Sequence, residues 1–451
     1  MMEDVGRARD VDHRYVVVDE ESDPAWTASA RVHGVETVPG DPRFPWHDLW
    51  VGWHVRGVAE PAIGGTVDAM NDTMHAVVLD RIGGPLSPRQ VAVPAPAPGQ
   101  VLVRVAVSAV NPLDIKIREG RADHARVTAP AILGIDMAGV VAAAGDGVTR
   151  FRVGDEVYGM SGGVGDRAGS LAEYQAVDAS LLARKPSTLS MAEAAALPLA
   201  AVTAWEGLVD RATLRHGMAV LVHGGGGSVG QAAVQIARAR GARVFATGTG
   251  ASLDVIRASG AVPIDYRTTS VEEYVATFTG GAGFDVVLDT VGGTTLDASF
   301  IAVKPYTGHV VSILGWGPHN LAPLSLRGAT YSGVFALLPL LTGEGFARHG
   351  EILAQVASLA EAGHLRPRVH PTVFDVETVA EAHRLVKAGG AQGKVVVRVA
   401  PAAMSRRSAR RSDRGLPGPG PGRCSPDTRA VSAADALEDV GEGILRGVAN
   451  S

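Results

Sequence analysis

Between residues 218 and 239 an apolar run, MAVLVH, passes through four consecutive glycines into the helix-forming stretch SVGQAAVQIARA. Gly225, Gly227 and Gly230 match G-x-G-x-x-G, and the match sits where the motif has a mechanism, behind a strand and at the opening of a helix. The first glycine permits a tight turn, the second lets backbone approach a pyrophosphate, and the third lets helix and strand pack closely. Free N–H groups in the first helical turn then face the anion. The alternative is a glycine-rich turn with no ligand. Around the motif, the apolar runs RVFATG, VPID, FDVVLDTVG and HVVSIL alternate with the helical text SLDVIRASGA and VEEYVATF and with a helix near 294–303. Such alternation predicts an α/β fold, a doubly wound parallel sheet over 198–335 with helices on both faces.

The remaining text divides around this block. From Met74 to Leu197, short β-rich runs (HAVVLD, QVLVRVAVSAV, GVVAAAG, DEVYGM) are punctuated by Gly and Pro, as in a β-rich domain. After Phe335, helical stretches surround the strands HPTVF and GKVVVRV, which are assigned to that same domain. It is therefore discontinuous, over 74–197 and 336–400. Residues 1–73 read as an acidic extension, an appendage or a start-site artefact, and 401–451 as a disordered basic Pro/Gly-rich tail with a short helix around 433–445.

Composition narrows the function classes. Acidic and basic side chains balance between 70 and 400, so the body lacks the basic footprint that phosphate-backbone binding needs, and nucleic acid is not an expected partner. Cys424 is the single cysteine, which excludes an intramolecular disulfide and a cysteine-clustered zinc site. The longest nearly unbroken apolar stretch, 194–205, is too short to span a bilayer, and the first thirty residues hold no apolar leader. The expected location is cytoplasmic.

The strand RVFATG ends at Gly248, between Thr247 and Thr249. A fold that prefers NAD usually places Asp or Glu there to accept from the ribose hydroxyls. None stands at that point, while Arg267 and Arg257 can supply charge to a 2′-phosphate. The expected cofactor is NADPH, with Asp254 the residue that keeps NADH open.

The motifs NPLDIKIREG (111–120), GIDMAGVV (134–141), FRVGDEVYGM (151–160), GSLAEYQAV (169–177), LPLAAVTAWEGL (197–208), LVHGGGGSVGQAAVQIAR (221–238), DYR (265–267), FDVVLDTVGG (284–293) and GKVVV (393–397) follow one another in order. As a set the sequence resembles the medium-chain dehydrogenase/reductase superfamily, specifically its zinc-free, zeta-crystallin-like quinone oxidoreductase branch, from about Met74 to Val399. Zinc alcohol dehydrogenases carry His-Glu after the first glycine of the turn written here GIDMAG, whereas this chain has Ile135 and Asp136. The resemblance implies a GroES-like catalytic domain, a Rossmann domain, and a cleft holding NADPH and a quinone or conjugated enone, with no metal. It also implies a homodimer.

By motif, Gly226, Gly227, Ser228 and Val229 would lie along the pyrophosphate, and Thr249 and Tyr266 would approach the adenosine side. Leu314, Gly315, Val334 and Phe335 would flank the nicotinamide half, with Thr203 and Asn111 near the ring and its ribose. Ser228 departs from the glycine usual in the branch, and Lys116 stands where zeta-crystallin-like members often have tyrosine.

Hydride transfer asks little of side chains beyond holding the ring about 3–3.5 Å from the acceptor carbon. The developing negative oxygen benefits from a donor, for which Lys116 is the candidate; otherwise it caps a turn or meets the cofactor phosphates. Asn111 either holds the ribose or forms the turn before Pro112. Asp114 reads as a structural partner of Arg118 rather than a proton donor, Tyr158 as core or pocket wall, and His223 as a buried, satisfied histidine. Lys394 either reaches the cofactor or is structural. Two other readings remain: a metal-free alcohol dehydrogenase or biosynthetic enoyl reductase of the same superfamily, and a non-catalytic NADPH- or RNA-binding protein using the tail.

Overall fold

A computed structural model describes residues 72–399. The acidic extension and the basic tail lie outside the described residues. The chain begins with β1 (Thr73–Leu79), β2 (Leu86–Ala92) and β3 (Gln100–Ala109), then helix α1 (Pro112–Arg118). The strands β4 (Ala131–Ile132), β5 (Asp136–Ala144), β6 (Glu156–Met160), β7 (Tyr174–Asp178) and β8 (Leu182–Arg184) follow. β1 pairs with β2 and β4 in a three-stranded sheet, while β3 and β5 are the centre of a seven-stranded one. Gly139 in β5 has to be glycine: a Cβ there would lie 2.3 Å from the carbonyl oxygen of Arg104 on β3.

Helices α2 (Met191–Ala195) and α3 (Pro198–Trp205) lead into the second lobe. There β9 (Ala219–His223), α4 (Ser228–Ala239), β10 (Arg243–Gly248), α5 (Ser252–Ala258), β11 (Val262–Asp265), α6 (Val271–Thr279), β12 (Val286–Asp289), α7 (Thr294–Ala302), β13 (His309–Ser312), α8 (Ala322–Arg327) and β14 (Thr330–Gly333) alternate. Their six strands form one parallel sheet in the order β11-β10-β9-β12-β13-β14. β9 and β12 lie at its centre with every residue buried, which is why they read as continuous apolar runs rather than alternating ones. The order reverses at β9, the switch point beside which such sheets bind ligands.

The chain then returns through α9 (Leu338–Thr342), α10 (Phe346–Glu361), β15 (Phe374–Asp375), α11 (Val379–Lys387) and β16 (Val396–Arg398). β16 pairs antiparallel with β3, so the last described segment re-enters the first lobe's sheet. Tyr158, fully buried, donates from its hydroxyl to the carbonyl of Leu353 on α10 (2.6 Å) and is core. Among the described residues no helix is long and apolar enough to cross a membrane.

Candidate active site

After β9 the chain turns at Gly224, whose φ of +74° favours glycine. A Cβ on Gly230 would stand 2.2 Å from the carbonyl oxygen of Gly224, and one on Gly225 2.5 Å from the Cβ of Ala246. These two glycines are packing positions. Gly227 differs, since the nearest atom to a Cβ there is a single carbonyl oxygen at 3.4 Å. Gly226 and Gly227 form the wall shared by two cavities of about 530 Å³ each. α4 starts at Ser228 and Val229 with Gly227 as its N-cap and no side-chain cap, which leaves the N–H groups of its first turn free. A bare backbone ridge with free donors between two chambers fits a dinucleotide, with its pyrophosphate on the ridge and a nucleoside on each side.

Gly248, Thr249 and Tyr266 line the chamber on the β10 side. Thr247 Oγ1 accepts from the Gly224 N–H (3.2 Å) and meets His223 Nδ1 (3.1 Å), and the Thr249 N–H donates to Ser252 Oγ (2.8 Å). The lining contains Thr, Ser and Tyr but no Asp or Glu. Arg267 is exposed next to Tyr266 and outside the lining. Arg257 pairs with Asp254 at 2.6 Å on the exposed surface, so neither its charge nor that carboxylate reaches the chamber. His223 is buried as expected but not fully satisfied: Nε2 has no partner, and burial pushes its pKa down to about 4.

The other chamber is lined by Asn111, Lys116, Thr203, Leu314, Val334, Phe335 and Lys394. Gly315 is not part of that lining, and a Cβ there would meet the Tyr331 hydroxyl at 2.3 Å. The side chain of Lys116, half-buried on α1, makes no hydrogen bond or ion pair with any described residue, so its ammonium is free for a ligand. Thr203 donates to the Leu199 carbonyl one turn back (2.6 Å), leaving only its oxygen lone pairs for other contacts. Asp114 corrects the expected pairing with Arg118. As the third residue of α1 it turns back to accept from the Asn111 N–H at 2.7 Å, while Arg118 reaches the Gly84 carbonyl.

Beneath this chamber lies a polar cluster that the sequence did not reveal. Asp136, fully buried at the start of β5, accepts from Asn111 Nδ2 (3.0 Å), from Lys394 Nζ (3.2 Å) and, through its other oxygen, from the Leu199 N–H (2.8 Å). Lys394 also donates to Asn111 Oδ1. One carboxylate thereby aims the two cavity-lining groups and anchors the start of α3. Asp136 stands at the position noted only for lacking the ligands of zinc enzymes. The signal available was a carboxylate inside an apolar strand, which demands a buried cation.

Trp316 and His124 were also missed. They meet over the cavity, ring centroids 5.3 Å apart, and both contact Phe335. His124 comes from the β-rich lobe and Trp316 from the loop after β13, so the pair bridges the cleft. Among the described residues no group of three or more His, Cys, Asp or Glu is placed to hold a metal ion.

Two family models match the chain, an alcohol dehydrogenase GroES-like domain over residues 97–187 and a zinc-binding dehydrogenase over 260–397. An NADPH-dependent alkenal/one oxidoreductase, chloroplastic, of Arabidopsis thaliana is 34% identical over 354 residues, covering 75% of this chain and 83% of the relative. The spectinabilin polyketide synthase system protein NorB of Streptomyces orinoci is 35% identical over 342 residues, covering 76% of this chain. The match spans only 14% of that much longer protein. A crystal structure of an alcohol dehydrogenase superfamily protein from Novosphingobium aromaticivorans is 52% identical with a TM-score of 0.71, covering 73% of this chain and all of the other.

Proposed function

The chain belongs to the medium-chain dehydrogenase/reductase superfamily, in its quinone-oxidoreductase-like branch, and from that premise we propose that it is an NADPH-dependent, zinc-independent reductase of conjugated enones and quinones. The observation that carries the reading is the glycine ridge between two chambers, one walled by hydroxyls without carboxylates, the other by a free lysine and apolar side chains.

NADPH, when bound, supplies a hydride. Gly226, Gly227, Ser228 and Val229 would hold its pyrophosphate by backbone N–H groups, and Thr249 and Tyr266 its adenosine side. Asn111 and Lys394 would hold the nicotinamide ribose, pre-aimed by Asp136. Leu314, Val334 and Phe335 exclude water from the reacting centre, which strengthens every charge interaction there. Lys116 Nζ donates a hydrogen bond to the carbonyl oxygen of the acceptor as negative charge builds on it, worth about 3–4 kcal/mol for a well-placed donor. The acceptor gains the hydride at its β-carbon and a proton at the oxygen or α-carbon, so one NADPH and one proton are consumed per double bond. Zinc independence is supported by the donor set, because Asp136 has spent both oxygens on Lys394, Asn111 and Leu199.

A biosynthetic enoyl reductase is the second reading, favoured by the similarity to a polyketide synthase system protein. Homodimer formation is supported by β14, an open sheet edge with Tyr306 and Leu326 exposed near it. The deciding experiment follows oxidation of NADPH or NADH optically against quinones, enones, enoyl thioesters and aldehydes, with and without chelator. Turnover of enones or quinones with NADPH, unchanged by chelator, is expected. Exclusive use of NADH, or dependence on added zinc, would refute the proposal.

A further inference from the structure

We propose that Asp114 is a proton-linked counter-charge to the nicotinamide ring, losing its proton to solvent when the oxidised, cationic ring occupies the cavity and holding it when the reduced, neutral ring does. This rests on the cofactor reading above and adds to it a second role for the cluster beneath the chamber.

The geometry is specific. Asp114 is 1% exposed, its Oδ2 accepts the Asn111 N–H at 2.7 Å, and its Oδ1 has no partner. Asn111 is a wall of the cavity, so the carboxyl, itself outside the lining, is one hydrogen bond from that wall. The charged groups facing it are Asp136 on β5 and Lys394 just before β16. From the opposite side, α11 packs on α1 but turns its charges elsewhere: Lys387 pairs with Glu119 at 2.6 Å, and buried His383 lies near Arg118 and Glu119. On α1 itself, Arg118 reaches the Gly84 carbonyl and Lys116 faces the cavity.

Asp136 alone contacts the Lys394 ammonium, and Asp114 is a second buried carboxyl that feels both charges without bonding to either. With Asp114 protonated the cluster is neutral, and with it ionised the cluster carries one net negative charge against the cavity wall. Burial is the largest influence on Asp114 and pushes its pKa up to about 7, which leaves both states accessible at ordinary pH. A positive ring nearby favours the ionised state, and by reciprocity the ionised state favours the positive ring. Every unit by which the ring lowers that pKa makes the oxidised cofactor bind about tenfold tighter above the transition than below it.

The test measures dissociation constants of NADP⁺ and NADPH for the full chain by titration calorimetry and fluorescence, from about pH 5.5 to about pH 8.5. Because both forms carry the same 2′-phosphate, its own titration cancels in their ratio. The expected result is a ratio that shifts about three- to tenfold toward NADP⁺ as pH rises through about 7. NADP⁺ binding should also release protons, read from calorimetric heats in buffers of different ionisation enthalpy. Asp114→Asn keeps an oxygen for the Asn111 N–H and should bind both nucleotides with a pH-independent ratio. A flat ratio in the unaltered protein overturns the proposal. So does a slope that survives Asp114→Asn, which would assign the linkage to another group. Binding of neither nucleotide would overturn the cofactor reading itself, whereas tight binding with a flat ratio removes this proposal alone.

Discussion

Replacing Lys394 by methionine keeps an unbranched side chain one atom shorter and removes its charge. Asp136, with no exposed surface, then keeps the Asn111 and Leu199 donors but loses its one counter-ion among the described residues, 3.2 Å away. At an effective dielectric of about 20 that contact represents roughly 5 kcal/mol of attraction, and breaking a buried pair by removing one partner costs about 3–5 kcal/mol. Both figures place Lys394→Met at about 4 kcal/mol less stable. Asp136→Asn should cost a comparable amount, because the buried ammonium keeps only Asn111 Oδ1. The double variant should cost less than either single one. Its new side-chain amide at position 136 still accepts from the Leu199 N–H, and a flip of the Asn111 amide presents Oδ1 to the new N–H₂, so the contacts of residue 136 with Leu199 and Asn111 are remade and no buried charge is left unpaired. Urea unfolding of the four proteins, with slopes held equal, gives the coupling energy directly. A Lys394→Met cost below about 1 kcal/mol, or single costs that simply add, would refute the buried pair as the organising contact of the site.

Two further outcomes follow from the same structure. Gly230→Ala should lose about 1–3 kcal/mol or more of stability, since the Gly224–Gly225 backbone resists its methyl group; Gly227→Ala should change thermal stability little yet abolish nucleotide binding, and equal effects in both assays would contradict the division of labour within the ridge. The pH dependence of stability should contain two opposing slopes. Between about 4 and 7 folded Asp114 keeps a proton that the unfolded chain has lost, so raising pH destabilises through this group and the loss ends above 7. His223, with its pKa lowered to about 4, is neutral when folded and protonated when unfolded between 4 and 6.5, so raising pH stabilises through it. Asp114→Asn should therefore unmask a stability that rises with pH over that window, and an unchanged profile would refute the assignment.

What could be read from the sequence was what is written locally. The glycine ridge and the carboxylate-free end of β10 each occupy a few adjacent residues, and the parallel lobe repeats one local strand–helix alternation along the chain. The Asp136–Lys394 pair could not be read, because its members lie 258 residues apart and meet only when β16 closes on β3. Asp114 misled for a different reason: spacing of four along a helix suggests Arg118, but the first-turn position makes a capping contact with the free Asn111 N–H more favourable. Trp316 sits in a loop and His124 in a three-residue 3-10 turn, both too short for a periodic signal, so only the approach of the two lobes joins them.

That closing strand has a consequence for how the protein comes into being. The nucleotide-binding lobe lies wholly upstream of residue 334, so a growing polypeptide can complete it early. The ammonium under the reaction chamber arrives only when residue 394 has left the ribosome and a three-residue strand has zipped onto a partner made nearly three hundred residues before. Under the proposed function, a molecule cut short before that point would keep the glycine ridge for the pyrophosphate but lack the buried ammonium that fixes Asn111 beneath the second chamber.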